Sequence, residues 1–167
     1  MATDKSLLFT NPDISSGFPE AFRVLRNVFI SSLGENEKII MATSSVPGEG
    51  KTTVVTNLAL ALADHNKNVL LVDGDIRHPS ILALLGIDPD EIDYETETDL
   101  YKIAYLEEFR LRVLMPAAKD ENSSGYFSSA NIGNMFAELR NSYDYILVDT
   151  PPCGLISDAL FIAQHAD

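Results

Sequence analysis

The stretch Ser44-Ser45-Val46-Pro47-Gly48-Glu49-Gly50-Lys51-Thr52-Thr53 carries the residue types that hold a chain of phosphates. Glycines let consecutive backbone N–H groups turn inward around phosphate oxygens, and a helix opening just behind them adds unpaired N–H groups and the positive end of its dipole. A lysine at the helix start reaches the β and γ phosphates, and the hydroxyl of the following threonine is a hard oxygen ligand for magnesium. Val46, Pro47, Gly48, Glu49, Gly50, Lys51, Thr52 and Thr53 are therefore the candidate triphosphate-binding residues, with Lys51 as a catalytic cation and Thr52 as a metal ligand. The general pattern is GxxxxGK[ST], and Ser45 stands where its first glycine would be. The flanks restore the reading, because an apolar run ends at Ala42 before the loop and a helical pattern carrying Leu58 follows it.

Two further segments, Leu71-Val72-Asp73-Gly74-Asp75-Ile76-Arg77 and Ile146-Leu147-Val148-Asp149-Thr150-Pro151-Pro152, place carboxylates where an apolar run ends. In an open parallel sheet, ligands bind outside the carboxyl ends of the strands, and a magnesium nucleotide needs oxygen ligands there. Asp149 suits a magnesium ligand acting through water; Asp73 and Asp75 divide metal contact and proton acceptance between them, and the division stays open. Arg77 is a candidate to steady phosphate charge or the turn itself. A strand-end aspartate by itself is commonly a turn former or helix cap, so the chemical reading rests on all three motifs meeting at one edge. His65, His78 and His165 share no short spacing with Cys153, which gives a transition-metal site no support.

Meeting at one edge requires strands in a common sheet. Lys38 to Ala42, Val69 to Val72, Arg112 to Met115 and Tyr145 to Val148 have the length and apolar character of buried strands. Helical patterns lie between them, from Thr52 to Ala63 and through Ile132, Met135, Phe136 and Leu139, with Ser157 as a cap for a last helix. Parallel neighbours need crossover connections, so the alternation predicts an α/β fold with a mainly parallel sheet and helices on both faces. Before the first strand, Pro19 suits a first helical position and Phe22, Leu25 and Phe29 recur at helical spacing, with Glu20, Arg23 and Arg26 in a separate stripe. Met1 to Gly17 reads as a flexible surface arm, and the acidic segment Asp88 to Asp99 and the Ser-rich segment Asn122 to Ser129 read as exposed loops.

The chain has 167 residues, the size of one domain with one core. A net charge of -13 repels a phosphate backbone and disfavours nucleic acid and anionic membrane surfaces as direct partners. No apolar stretch approaches the ~20 residues that span a bilayer. A single cysteine and the lack of a cationic, apolar leader at Met1 predict a cytoplasmic protein.

The three ordered motifs resemble those of the bacterial tyrosine kinases of capsule and exopolysaccharide synthesis, P-loop NTPases related to the Min and Par ATPases. The resemblance runs from about Pro19 to Asp167: Thr43 to Thr53 is similar to the Walker A motif, Leu70 to Arg77 to the second acidic motif, Walker A′, and Ile146 to Asp149 to Walker B. Val46 stands where the Min and Par relatives carry a lysine early in the loop, which favours the kinase branch. Glu20, Arg23 and Arg26 resemble the ExxRxxR motif through which these kinases assemble into rings. Membership implies ATP and Mg2+, transfer of the γ-phosphoryl group to tyrosine, and a membrane-embedded activator of polysaccharide export that recruits the protein to the inner face of the membrane. It also implies a core strand and a tyrosine cluster beyond Asp167; the chain's own tyrosines, at Tyr94, Tyr101, Tyr105, Tyr126, Tyr143 and Tyr145, are scattered. An ATPase switch of the Min or Par kind, binding a partner without labelling tyrosine, is the alternative.

Overall fold

The computed structural model describes residues 7–11, 13–15, 17–117, 129–154 and 158–167. Of the expected loop over Asn122 to Ser129, all but Ser129, which opens a helix, lies outside the described residues, as do Tyr126 within it and the cap at Ser157. The four apolar runs form β1 (Ile39–Ala42), β2 (Val69–Asp73), β5 (Leu111–Pro116) and β6 (Tyr145–Asp149), joined by two further strands, β3 (Tyr94–Glu97) and β4 (Tyr101–Leu106). The sheet runs β1-β6-β2-β5-β4-β3. β1, β6, β2 and β5 are mutually parallel, and β4 and β3 add as an antiparallel hairpin.

The strand β2 shows why the parallel part is a continuous apolar run. Successive side chains point to opposite faces. Val69 and Leu71 join one core with Leu58, Leu62, Val113 and Leu147, while Leu70 and Val72 join another with Leu114, Ile132, Phe136 and Ile146. Helices α1 (Gly17–Ser32), α2 (Lys51–Asp64) and α3 (Ile81–Leu85) supply the first layer; α4 (Ser129–Leu139) and α5 (Asp158–Ala163) supply the second. With both faces covered, every residue of β2 is buried. Helix α2 carries nine consecutive buried residues, Val55 to Ala63, which fixes the phosphate-loop helix firmly on the sheet.

Three expectations change. The segment Asp88 to Asp99 is exposed, as expected, but contains a 3-10 turn at Pro89–Glu91 and the edge strand β3 rather than loop alone. Helix α1 begins at Gly17, two residues before Pro19, and buries Phe22 while Leu25 stays exposed. The described part of the N-terminal arm is docked, with Leu8 and Phe9 buried in the α1–α2 core. Fully buried Asn57 ties it down: its Oδ1 accepts from Phe9 N at 2.5 Å, and its Nδ2 donates to Leu7 O at 2.9 Å and to Thr53 O at 2.8 Å.

Candidate nucleotide site

The registers put the motif residues side by side. Asp149 at the end of β6 pairs with Ala42 at the end of β1 on one flank and with Asp73 at the end of β2 on the other. Beyond the strands the chains stay in contact, for Gly74 N donates to Asp149 O at 2.8 Å. A Cβ on Gly74 would lie 2.5 Å from that same oxygen, so glycine is what permits the Walker A′ turn to cross against Walker B.

The loop after β1 turns through Gly48 (φ 81°) and Gly50 (φ 85°), left-handed conformations that side chains rarely adopt. Gly50 is the N-cap of α2, so Lys51 and Thr52 sit on its first turn. Thr52 Oγ1 donates to Asp149 Oδ2 at 2.6 Å, a direct link from the phosphate loop to the Walker B strand. The Glu49 carboxylate accepts from Ser45 N at 2.9 Å and Val46 N at 3.2 Å, fixing the loop's first limb. A hollow of about 430 Å³ opens here, lined by Thr43, Ser44, Ser45, Glu49, Lys51 and Val54 among others.

Sequence reasoning missed the segment that backs this loop. Cys153 N donates to Ser44 O at 3.0 Å, and a Cβ on Gly154 would come within 2.6 Å of Ser45 O. The available signal was the Pro151-Pro152-Cys153-Gly154 run directly after Asp149. Val54, one residue beyond the expected stretch, also lines the hollow.

The carboxylates are held in unfavourable surroundings. Asp73 Oδ2 accepts from Ser80 N at 2.9 Å and Ile81 N at 3.0 Å at the start of α3. Burial nonetheless pushes the Asp73 carboxyl up to about 7; the amides of Ile81, Ser80 and Asp75 oppose the rise and the Asp149 charge adds to it. Asp149 is also raised by burial, against the Thr52 hydrogen bond and the Lys51 charge, with Asp75 contributing repulsion. Asp75 is tied to His78 N at 3.0 Å. Among the described residues, buried Asp73 Oδ1 and Asp149 Oδ1 have no hydrogen-bond partner. The orphaned Asp149 Oδ1, on the carboxylate that the Thr52 hydroxyl touches, is what a hard, oxygen-seeking cation satisfies, so this pair of donors fits magnesium.

Lys51, Thr52, Asp73, Asp75 and Asp149 thus come together. Arg77 lies apart from the hollow and lines a second cavity of about 830 Å³ beside Asp73. Val46 is exposed. On α1, Glu20 and Arg23 pair at 3.4 Å, and the Arg23 guanidinium lies 5.5 Å from the centre of the Phe9 ring. Arg26 turns inward to its own chain, donating to Ala61 O on α2 at 3.3 Å.

Residues 35–166 match the ParA family, described as NUBPL iron-transfer P-loop NTPase. The chain is 34% identical over 140 residues to the tyrosine-protein kinase CpsD of Streptococcus pneumoniae serotype 4, which aligns 80% of this chain with 61% of the relative. It is 30% identical to the putative tyrosine-protein kinase CapB of Staphylococcus aureus, over 98% of this chain and 75% of that one. The crystal structure of the chimerical protein CapA2B2 superposes with a TM-score of 0.76 at 27% identity, covering 97% of this chain and 73% of that chain. The chain therefore spans about three-fifths of the pneumococcal relative's length.

Proposed function

From a chain that belongs to the ParA-type P-loop NTPases and, among them, to the bacterial tyrosine kinases, we propose a protein kinase that transfers the γ-phosphoryl group of ATP to tyrosine in the control of capsular or exopolysaccharide synthesis. The observation that carries the reading is the convergence of the loop at Lys51 and Thr52 with Asp73, Asp75 and Asp149 on one sheet edge.

In the transfer, the phenolic oxygen bonds to the γ phosphorus, the bond from that phosphorus to the β,γ-bridging oxygen breaks, and ADP leaves. A phenol has an ordinary pKa of about 10 and needs a carboxylate to accept its proton; Asp73 or Asp75 would be that acceptor. Lys51 and the N–H groups of the loop hold the β and γ oxygens, so the protein contributes positioning and charge rather than a covalent intermediate. Thr52 and Asp149 would hold magnesium, with Asp73 or Asp75 as a third oxygen donor, and the ion would neutralise charge on the phosphates.

Glu20, Arg23 and Arg26 are proposed to contribute to self-association into a ring, on a helix that also exposes Val24 and Val28. Among the described residues no helix is long and apolar enough to cross a membrane, so recruitment to the inner face would run through a membrane-embedded partner. The test is incubation with Mg-ATP and a Glu/Tyr copolymer, followed by mass spectrometry for phosphotyrosine and assay of free phosphate. Phosphotyrosine is expected, and Lys51→Met should lower it by at least about a hundredfold. Free phosphate without phosphotyrosine would replace the kinase with a Min- or Par-like switch, and full transfer by Lys51→Met would remove the mechanism.

A further inference from the structure

We propose that Glu49 is the positioning residue of the phosphate loop and, through its charge, makes the loop favour the magnesium complex of a nucleotide over the bare nucleotide. The inference rests on the proposed binding of a nucleotide at this loop, and does not need the transfer to tyrosine. Residues 45–50 are all exposed, and a Cβ on Gly48 or Gly50 would meet nothing within 4 Å, so packing does not shape this stretch. Polar contacts shape it instead. Glu49 Oε2 accepts from Ser45 N at 2.9 Å and from Val46 N at 3.2 Å, and Ser44 Oγ donates to Val46 O at 2.9 Å. Hydrogen bonds to a carboxylate are roughly twice as strong as neutral ones, so the Glu49 pair is the firmer hold. Gly48 and Gly50, the two left-handed positions, would leave an unheld loop many other conformations. With the Ser45 and Val46 amides engaged and no N–H on Pro47, the amides left to turn on a phosphate are those from Gly48 onward.

The same carboxylate opposes what the loop is shaped to hold. Glu49 and Lys51 line one hollow, so an anion drawn in by the lysine also meets the charge of the glutamate. A bare triphosphate carries far more negative charge than its magnesium complex, and a like charge at close range disfavours it more. Thr52 and Asp149, the donors that fit magnesium, meet at the helix end of the same loop. Shape therefore resides in where Oε2 sits, and selection resides in its charge. The two separate in variants because both amide contacts end on one oxygen. Glutamine can set its amide oxygen there without the charge. Aspartate keeps the charge but falls short of the amides, and alanine loses both.

The test measures ATP affinity by calorimetry, once with magnesium and once with EDTA, together with amide exchange by NMR in the nucleotide-free chain. Glu49→Gln should bind bare ATP about fivefold more tightly and keep its Mg-ATP affinity within about twofold of the native value. Its Ser45 and Val46 amides should exchange as slowly as in the native chain. Glu49→Asp and Glu49→Ala should each bind Mg-ATP about tenfold more weakly and speed exchange at those two amides about tenfold. Support of the loop alone would move the two affinities together, so their ratio is the readout that isolates selection. An unchanged ratio in Glu49→Gln would overturn the selection. Glu49→Gln matching Glu49→Ala, or native exchange in Glu49→Ala, would overturn the positioning. The exchange arm needs no nucleotide and the binding arm no turnover. The expected outcomes without phosphotyrosine would thus fault the kinase reading alone, and phosphotyrosine without them would fault the role of Glu49 alone.

Discussion

The two halves of the sheet are held by different forces. In the parallel half, β1, β6, β2 and β5 lie between two apolar layers, and Leu70, Leu71, Leu114, Ile146 and Leu147 are wholly buried. At about 1.5–3 kcal/mol for each large side chain fully removed from water, that half is fixed by bulk burial. In the antiparallel half, β4 still buries Ile103, Ala104 and Leu106, but the edge strand β3 is exposed except for half-buried Tyr94 and is held by Arg112–Glu95 at 2.8 Å, Lys102–Glu97 at 3.2 Å and the Lys102–Tyr94 contact. Exposed pairs of this kind contribute at most about 1 kcal/mol each. The strand ends proposed to carry the phosphate chemistry are thus anchored by the deepest part of the core, while the outer strand of the hairpin is the least anchored part of the sheet.

The largest expected effect probes what the buried half tolerates. Folding raises the Asp73 carboxyl from 3.8 to about 7. Its proton then stabilises the folded state in full below the unfolded value, and the contribution is lost as pH rises through about 7. Magnesium-free protein should lose about 2–3 kcal/mol between about pH 5 and pH 8 from this group, and Asp73→Asn should remove most of that slope. Urea unfolding across the pH range checks it; a flat profile for the native sequence would contradict it. Next, Gly74→Ala forces a Cβ against Asp149 O and should cost about 1–3 kcal/mol in the same assay. A neutral result would show that the Walker A′ turn has slack. The smallest effect belongs to the hairpin, where Glu95→Ala should cost less than about 1 kcal/mol and leave nucleotide affinity unchanged. A larger loss would mean that the two halves are coupled.

The same contrast governs what could be read from the residues alone. That Lys51, Thr52, Asp73 and Asp149 meet was legible because residue type and spacing set them at strand ends and a helix start, and their strands because a strand buried on both faces must be apolar throughout. The stretch Tyr94-Glu95-Thr96-Glu97 gave no such signal. An edge strand needs only one partner and commonly carries charge, the composition that also marks a loop. The run Ile103-Ala104-Tyr105-Leu106 was the better clue, since it is apolar and follows Tyr101 without a Gly or Pro break, as a strand covered on both faces requires. The docking of the arm was hidden for another reason. Leu8 and Phe9 are too few to show a period, and Asn57 reveals its partners only when the helix bearing it is placed.

That asparagine also sets where the folding unit starts. A cut made after residue 15 would strip Leu8 and Phe9 from the core and leave both ends of a fully buried amide short of partners, one helical turn from Thr53. An unsatisfied buried polar group costs about 1–3 kcal/mol, and here the loss would fall on the helix whose first residues are proposed to hold the phosphates. The segment Leu7 to Phe9 is thus the outermost course of the foundation on which the phosphate loop's helix stands.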